Sequence, residues 1–281
     1  MVFVDNGSTD NSLNAIKKLR EHDPKVVYVS LSRNFGHQGG IFCGMSYATG
    51  DAVITMDADL QHPPALIPKM IELWRKGAEV VYTTKKNSKM SFVKHLITRS
   101  FYWFISRISG INLCFGQSDF RLLDKKALRA ILEIPEYHKF LRGQVQWVGF
   151  RQEGLSYTVE ERFAGSSKFS YRDLFIFALD GIFAFSRTPL HILTLFGICV
   201  GGISFIYISS VLAMWLLKTL NMIQDISIPP GWVMLIVSVS FLGSVQLIAI
   251  GILGEYIGRI YDQAKGRPVF IVREDSRGKN D

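Results

Sequence analysis

Charge is missing from two long stretches of this 281-residue chain: residues 192–217 and 226–254 contain no Asp, Glu, Lys or Arg. Each run exceeds the roughly 20 apolar residues needed to span a bilayer. That excludes an ordinary soluble domain for this part of the chain and predicts two transmembrane helices. Cysteine is nearly absent. The three present, Cys43, Cys114 and Cys199, have no metal-ligand spacing, and Cys199 lies inside an apolar run. A disulfide framework and a zinc site are thereby excluded, and free thiols in a reducing compartment are expected. No cleavable signal peptide is expected, because Met1-Val2-Phe3-Val4 leads straight into Asp5. There is no internal repeat and no low-complexity segment. Acidic residues are outnumbered, 24 against 32 Lys and Arg, for a net charge of +8. With two spans present, that balance points to anionic head groups and a phosphorylated lipid rather than to nucleic acid.

The remaining sequence alternates strand and helix signals. Residues 2–4 read as a strand, residues 5–10 as a turn with good capping residues, and residues 11–22 as a helix with Leu13, Ile16 and Leu19 on one face. Residues 26–30 give a second strand, Asn34-Phe35-Gly36 a turn, and residues 37–49 a glycine-bearing helix. Another strand at 52–56, an amphipathic helix at 66–77 and a strand at 79–84 follow. Strand, helix, strand, helix at this spacing implies an α/β domain with a mostly parallel sheet covered on both faces. Residues 91–109 interleave Phe92, Leu96, Phe101 and Tyr102 with Lys94, Arg99 and Arg107. They read as an interfacial helix lying on a membrane, or as a core-facing helix. A second amphipathic, Phe-rich helix is expected at 171–186. Expected boundaries are a domain at 1–165, an amphipathic juxtamembrane segment at 166–190, two spans within 191–258 and a basic tail at 259–281. The loop between the spans holds one Lys and one Asp, whereas Arg259, Lys265, Arg267, Arg273, Arg277 and Lys279 follow the second. The positive-inside rule then places domain and tail on the cytoplasmic side of a multi-pass cell-membrane protein.

The chemistry concentrates at Asp57-Ala58-Asp59-Leu60-Gln61-His62-Pro63-Pro64, where the strand at 52–56 ends. Ligands bind at the carboxyl ends of strands in open α/β sheets. Residues i and i+2 of a strand face one way, so Asp57 and Asp59 converge if the chain is still extended there and split their duties if it bends. Hard oxygen ligands at such a place suit Mg2+ or Mn2+ holding a diphosphate. The D-x-D pattern alone reads equally as a solvated acidic turn. Further on, Gln117-Ser118-Asp119-Phe120-Arg121 stands out. So does Arg162-Phe163-Ala164-Gly165-Ser166-Ser167-Lys168, a small-residue loop flanked by cations that can hold phosphate or act as a linker.

Five motifs in this order resemble the GT-A fold, family 2 glycosyltransferases that act on polyprenyl phosphates. They are Asp5-Asn6-Gly7-Ser8-Thr9-Asp10, Ser32-Arg33-Asn34-Phe35-Gly36, Asp57-Ala58-Asp59-Leu60-Gln61, Ser118-Asp119-Phe120-Arg121, and Arg162 with Gly165-Ser166-Ser167-Lys168. The paired spans complete the pattern. The resemblance implies inverting transfer of a sugar from a nucleotide sugar, such as a UDP-sugar, to a lipid phosphate such as undecaprenyl phosphate. It gives Asp59 and Gln61 to the metal and Asp57 to the ribose or sugar side. Asp5, Asn6 and Arg33 fall to the donor, Asp119 to the position credited as catalytic base, with Asp57 beside it as a second catalytic candidate, and Arg121, Arg162, Ser167 and Lys168 to phosphates or acceptor. Because a phosphate acceptor is already nucleophilic near neutral pH, Asp119 is expected to orient groups as much as to take a proton. Homo-oligomer formation stays open. Two acids usually precede the Gly-Ser, and here Asn6 replaces the second. Glu usually precedes the Ser-Lys, where this chain has Ser166. Family members also begin with a strand and turn that hold the base and ribose, whereas this chain opens at what corresponds to the second strand. The expectation is therefore an exposed sheet edge at residues 2–5, weak donor affinity and poor turnover. At the extreme it is a catalytically silent homologue or membrane subunit that keeps the fold. The lack of charge inside either span argues against a transport path.

Overall fold

The computed structural model describes residues 1–86, 117–158, 186, 188–220 and 231–278. The expected interfacial helix at 91–109, the Phe-rich helix at 171–186 and the loop carrying Arg162, Ser167 and Lys168 lie outside or almost wholly outside them. The described residues form two units, one from 1–158 and 262–278, the other from 186–261.

In the first unit, β1 (Val2–Asp5), α1 (Ser12–His22), β2 (Val27–Leu31), α2 (Gly36–Tyr47) and β3 (Ala52–Thr55) follow in order. Next come α3 (Ile67–Arg75), β4 (Val80–Lys86), β5 (Gln117–Asp124), α4 (Lys125–Glu133), α5 (Leu141–Trp147) and β6 (Gln152–Thr158). β7 (Val272–Asp275) comes from the far end of the chain. The strands form two sheets, ordered β1-β2-β7 and β3-β5-β4-β6. Pairing is mixed rather than mostly parallel. β1–β2 and β4–β6 run parallel, but β5 lies antiparallel between β3 and β4, and β7 antiparallel on β2.

β5 explains where the core sits. It is buried from Gln117 to Leu123, so its alternate residues feed two different cores. Phe120 and Leu122 pack with Met70, Val81 and Leu155 under α3. Leu123 packs on the other face with Met45, Leu128, Ile131, Leu141 and Val145, from α2, α4 and α5. Asp119 and Arg121 share the parity of Leu123 and therefore point toward the α2 and α5 side. Asp124 ends the strand and caps α4 by accepting from the Lys126 amide at 2.8 Å, while Trp74 Nε1 donates to its other oxygen.

Part of the basic tail expected at 259–281 packs into the first unit. Val272 and Phe270 pack on Val29, Leu31 and Cys43, and β7 pairs along β2. Arg20 ties the end down through Ser276 O, and Tyr47 Oη donates to Asp275. Gln263 is held at Pro135 O and the Tyr137 amide. The apolar run Val269-Phe270-Ile271-Val272 leads into this strand, and the charges that follow it and the basic residues before it drew the reading toward a tail.

The second unit contains α6 (Thr188–Thr219) and α7 (Trp232–Ala264), the latter running into the first unit at Asp262. Stretches Thr188–Tyr207 and Ser238–Ala264 have mean hydropathies of 1.9 and 1.5 and are long enough to cross a bilayer. Side chains such as Phe205 and Leu247 stand exposed on them, as lipid contact requires.

Candidate active site

The antiparallel pairing of β3 with β5 sets Thr55 opposite Arg121. The chain leaving β3 therefore arrives beside the residues entering β5, and Asp57 comes near Asp119. Thr55 Oγ1 donates to Asp119 O at 2.6 Å and fixes that junction.

Asp119 is buried and its carboxylate is saturated. Oδ1 accepts from Arg121 Nη2 at 2.9 Å and from Arg142 Nε at 3.1 Å. Oδ2 accepts from Arg142 Nη2 at 2.8 Å and faces His37 Nε2 at 3.3 Å. A carboxylate has about four lone-pair positions, and all are used. Burial alone would raise the acid's pKa. The hydrogen bond to His37 and the guanidiniums of Arg142 and Arg121 outweigh it and hold the carboxyl far below the usual range. In this arrangement Asp119 orients Arg121, Arg142 and His37, in keeping with the expectation that it positions groups as much as it takes a proton. Arg121 is 3% exposed, and its Nη1 has no partner among the described residues.

The acidic loop is anchored from below by His62. The Asp57 amide donates to His62 Nδ1 at 3.0 Å, so the ring is the Nε2–H tautomer, and Nε2 meets Ser118 Oγ at 2.8 Å. Tyr157 Oη reaches the same hydroxyl at 3.4 Å, and the His62 ring stacks on Phe120 with centroids 5.2 Å apart. Burial depresses the His62 pKa, which suits the neutral ring. Asp59 Oδ1 accepts from the Gln61 amide, and Leu60 between them takes a left-handed φ of 62°. The charges of Asp57 and Asp59 both bear on His62 and on Tyr157.

His37, in the first turn of α2, stands between the two acids. Its Nε2 is also 3.7 Å from Asp57 Oδ1. The hydrogen bond to Asp119 raises its pKa against the opposing effect of burial, and the Asp57 charge adds to the rise.

The other expected donor residues also make contacts within the protein. Asp5 is 4% exposed and accepts from the Ser8 amide and the Ser30 hydroxyl. Asn6 is a clasp: Oδ1 accepts from the Phe35 amide at 2.9 Å, and Nδ2 donates to Asn34 Oδ1 and to Gly36 O. Gly7, at φ 71°, lies so close to this turn that a Cβ would sit 2.6 Å from the Arg33 carbonyl carbon. The Arg33 guanidinium lies 4.2 Å from the centre of the Phe35 ring. Substituting Asn6→Asp would set a carboxylate against two acceptors. It is expected to cost about 1–3 kcal/mol in denaturant unfolding, although an acid is usual here in the resembling family. Unchanged stability would show that the clasp is dispensable.

Sequence reasoning missed His37, His62 and Arg142 as members of this cluster. His62 stood inside the acidic stretch without a role. Arg142 lies in a helix with no motif signal, and only the fold brings it to β5.

An acidic loop at the end of β3, set against a buried Asp–Arg cluster in an α/β domain, fits an enzyme that handles phosphorylated sugars. Residues 1–132 match the family model described as glycosyl transferase family 2. YkcC of Bacillus subtilis, an uncharacterized glycosyltransferase, is 41% identical over 98% of this chain and 83% of its own length. The bactoprenol glucosyl transferase of Shigella phage SfII is 39% identical over 99% of this chain and 88% of its own. A prophage bactoprenol glucosyl transferase homolog of Escherichia coli is 38% identical, over 97% and 87% respectively. The chain belongs to the family 2 glycosyltransferases, and its α/β domain is a GT-A domain.

Proposed function

We propose that this glycosyltransferase moves a sugar from a UDP-sugar to a polyprenyl phosphate such as undecaprenyl phosphate, at the cytoplasmic face of the cell membrane. The observation that carries this reading is the near-full-length similarity to bactoprenol glucosyl transferases, which takes in the span-bearing part as well as the GT-A domain. The two apolar helices suit an acceptor that lives in the bilayer.

The site's chemistry supports the reading. A phosphate monoester has a second pKa of about 6, so the acceptor is already a nucleophile near neutral pH. Its oxygen attacks the anomeric carbon as the bond to the diphosphate breaks, with inversion, and no strong base is required. That agrees with an Asp119 whose lone pairs are all occupied. Asp57 is assigned to the sugar or ribose side of the donor. The carboxylate of Asp59 and the amide oxygen of Gln61 are hard donors that fit Mg2+ or Mn2+. Among the described residues no group of three or more His, Cys, Asp or Glu is assembled to cage a metal. Mg2+ commonly binds through one or two carboxylates plus substrate phosphates, and the donor set here suits that mode. When bound, the ion would neutralise charge building on the departing diphosphate.

Two measurements test this. Full-length protein in detergent, given labelled UDP-glucose and undecaprenyl phosphate, should form a lipid-linked sugar. No transfer from UDP-glucose or UDP-N-acetylglucosamine would favour a silent homologue. Asp59→Asn should weaken Mn2+-dependent donor binding about 100-fold in calorimetry, since a carboxylate ligand becomes a weaker neutral one. Equal metal dependence in wild type and variant would refute the metal assignment.

A further inference from the structure

We propose that His37 is a catalytic residue that contacts the acceptor's phosphate through Nδ1 while Nε2 remains on Asp119. The inference rests on the polyprenyl-phosphate reading above. His37 Nε2 is 3.3 Å from Asp119 Oδ2 and 3.7 Å from Asp57 Oδ1, so the ring stands where the donor side and the β5 cluster meet.

On the reading above, the anionic acceptor comes beside Asp57 and Asp119 and needs a cationic or N–H donor turned toward it; Arg162, Ser167 and Lys168 lie outside the described residues, and among those described three candidates stand at this place. Arg121 is enclosed, with 4% of its side chain exposed. Arg142 is turned onto Asp119 by two of its nitrogens and is 27% exposed. His37 is 54% exposed, and its Nδ1 has no hydrogen-bond partner among the described residues. One face of the ring is thus spent on carboxylates and the other is open. Carboxylates on one side and a phosphate on the other both favour N–H at both nitrogens. The start of α2 holds the ring in place, because Asn6 fastens Gly36 O and the Phe35 amide directly before it.

A role for Nδ1 can be separated from a purely structural role for Nε2 by isosteric amides. The side-chain nitrogen of Asn falls where Nδ1 sits, and that of Gln falls where Nε2 sits. Full-length wild type, His37→Asn, His37→Gln and His37→Ala are compared in detergent. The readouts are farnesyl phosphate binding, the acceptor KM for undecaprenyl phosphate, donor binding by calorimetry and thermal unfolding. The expected result is a weakening of acceptor binding and a rise in acceptor KM of about 10- to 100-fold in His37→Gln and His37→Ala, the size of one charge-assisted hydrogen bond. His37→Asn should stay within about fivefold of wild type, and donor affinity should move less than about twofold in all three. The proposal is overturned if His37→Gln matches wild type while His37→Asn does not, or if acceptor binding is unchanged in every variant. It is also overturned if donor affinity falls and acceptor affinity does not. Wild type that binds farnesyl phosphate without transferring sugar would sink the transferase reading, and the binding ratios would still decide the role of His37. Wild type that binds no lipid phosphate would overturn both.

Discussion

Asp119→Asn is expected to lower sugar transfer at least about 100-fold and to destabilise the fold by about 3–5 kcal/mol. Asp119 is the shared acceptor of Arg121 and Arg142 and faces His37. Asn removes the charge and turns one N–H toward a guanidinium. Arg121 then remains almost wholly buried with its charge uncompensated, and its Nη1 already lacks a partner among the described residues. Breaking one partner of a buried pair is costly for that reason, whereas removing both is often mild. Asp119→Asn combined with Arg121→Met should therefore recover most of the stability and none of the activity. Chemical denaturation and the transfer assay together check this. A double variant no more stable than the single one would show that the cost lies elsewhere.

The same carboxylate sets a sign for acid stability. Its folded pKa is depressed, so its contribution is fully present above the unfolded value of about 3.9 and is lost as pH falls through the lower folded value. His37 works the other way. Its raised pKa contributes below about 6.5 and fades as pH rises through the folded value, and half-exposure keeps that contribution small. Asp119→Asn should therefore unfold with less pH dependence than wild type between about pH 5 and 3.

Much of this was legible in the sequence, because strands and acidic turns announce themselves locally. The run Ala52-Val53-Ile54-Thr55 is the strand β3, and the acid loop follows it. Among the described residues, the charge-free stretches 192–217 and 232–254 lie in long apolar helices. Asp119 and Arg121, two apart on a strand, fall on one face by their spacing alone. Other features depend on contacts far apart in the chain. Arg142 meets Asp119 only because α5 packs on the face of β5 that bears Leu123. β7 depends on β2 for its meaning, since the short apolar run Val269-Phe270-Ile271-Val272 does not say which strand it joins. Asp5 and Asn6 look from the motif like ligands of a donor. In the fold their polar groups go to Ser8, Ser30, Asn34, Phe35 and Gly36, and a turn that must fold tightly against another uses the same residue types as a binding loop. Sequence cannot tell those uses apart until the partners are known.

His62→Ala is the second large effect expected. The ring is 3% exposed, stacks on Phe120, accepts from the Asp57 amide and bonds Ser118. Truncation leaves a cavity beneath the acidic loop, and the Asp57 amide and the Ser118 hydroxyl each lose a partner. Cavity and unsatisfied groups together should cost about 3–5 kcal/mol. The functional consequence follows from the amide, not from the cavity. The bond from Asp57 N to His62 Nδ1 spans the acid motif and fixes the course of the chain from Asp57 to Gln61, including the left-handed Leu60. Released from it, the two carboxylates lose their fixed positions, and donor affinity should fall about tenfold or more. His62→Asn separates the two effects. Its amide oxygen falls where Nδ1 sits and can accept from Asp57 N, but it fills little of the space beside Phe120. It should therefore recover donor affinity to within a few-fold of wild type while regaining less than half of the lost stability. Calorimetric donor titrations and unfolding curves on the three proteins decide the matter. If His62→Ala binds donor as wild type does, the loop holds its shape without the ring, and His62 is only part of the core.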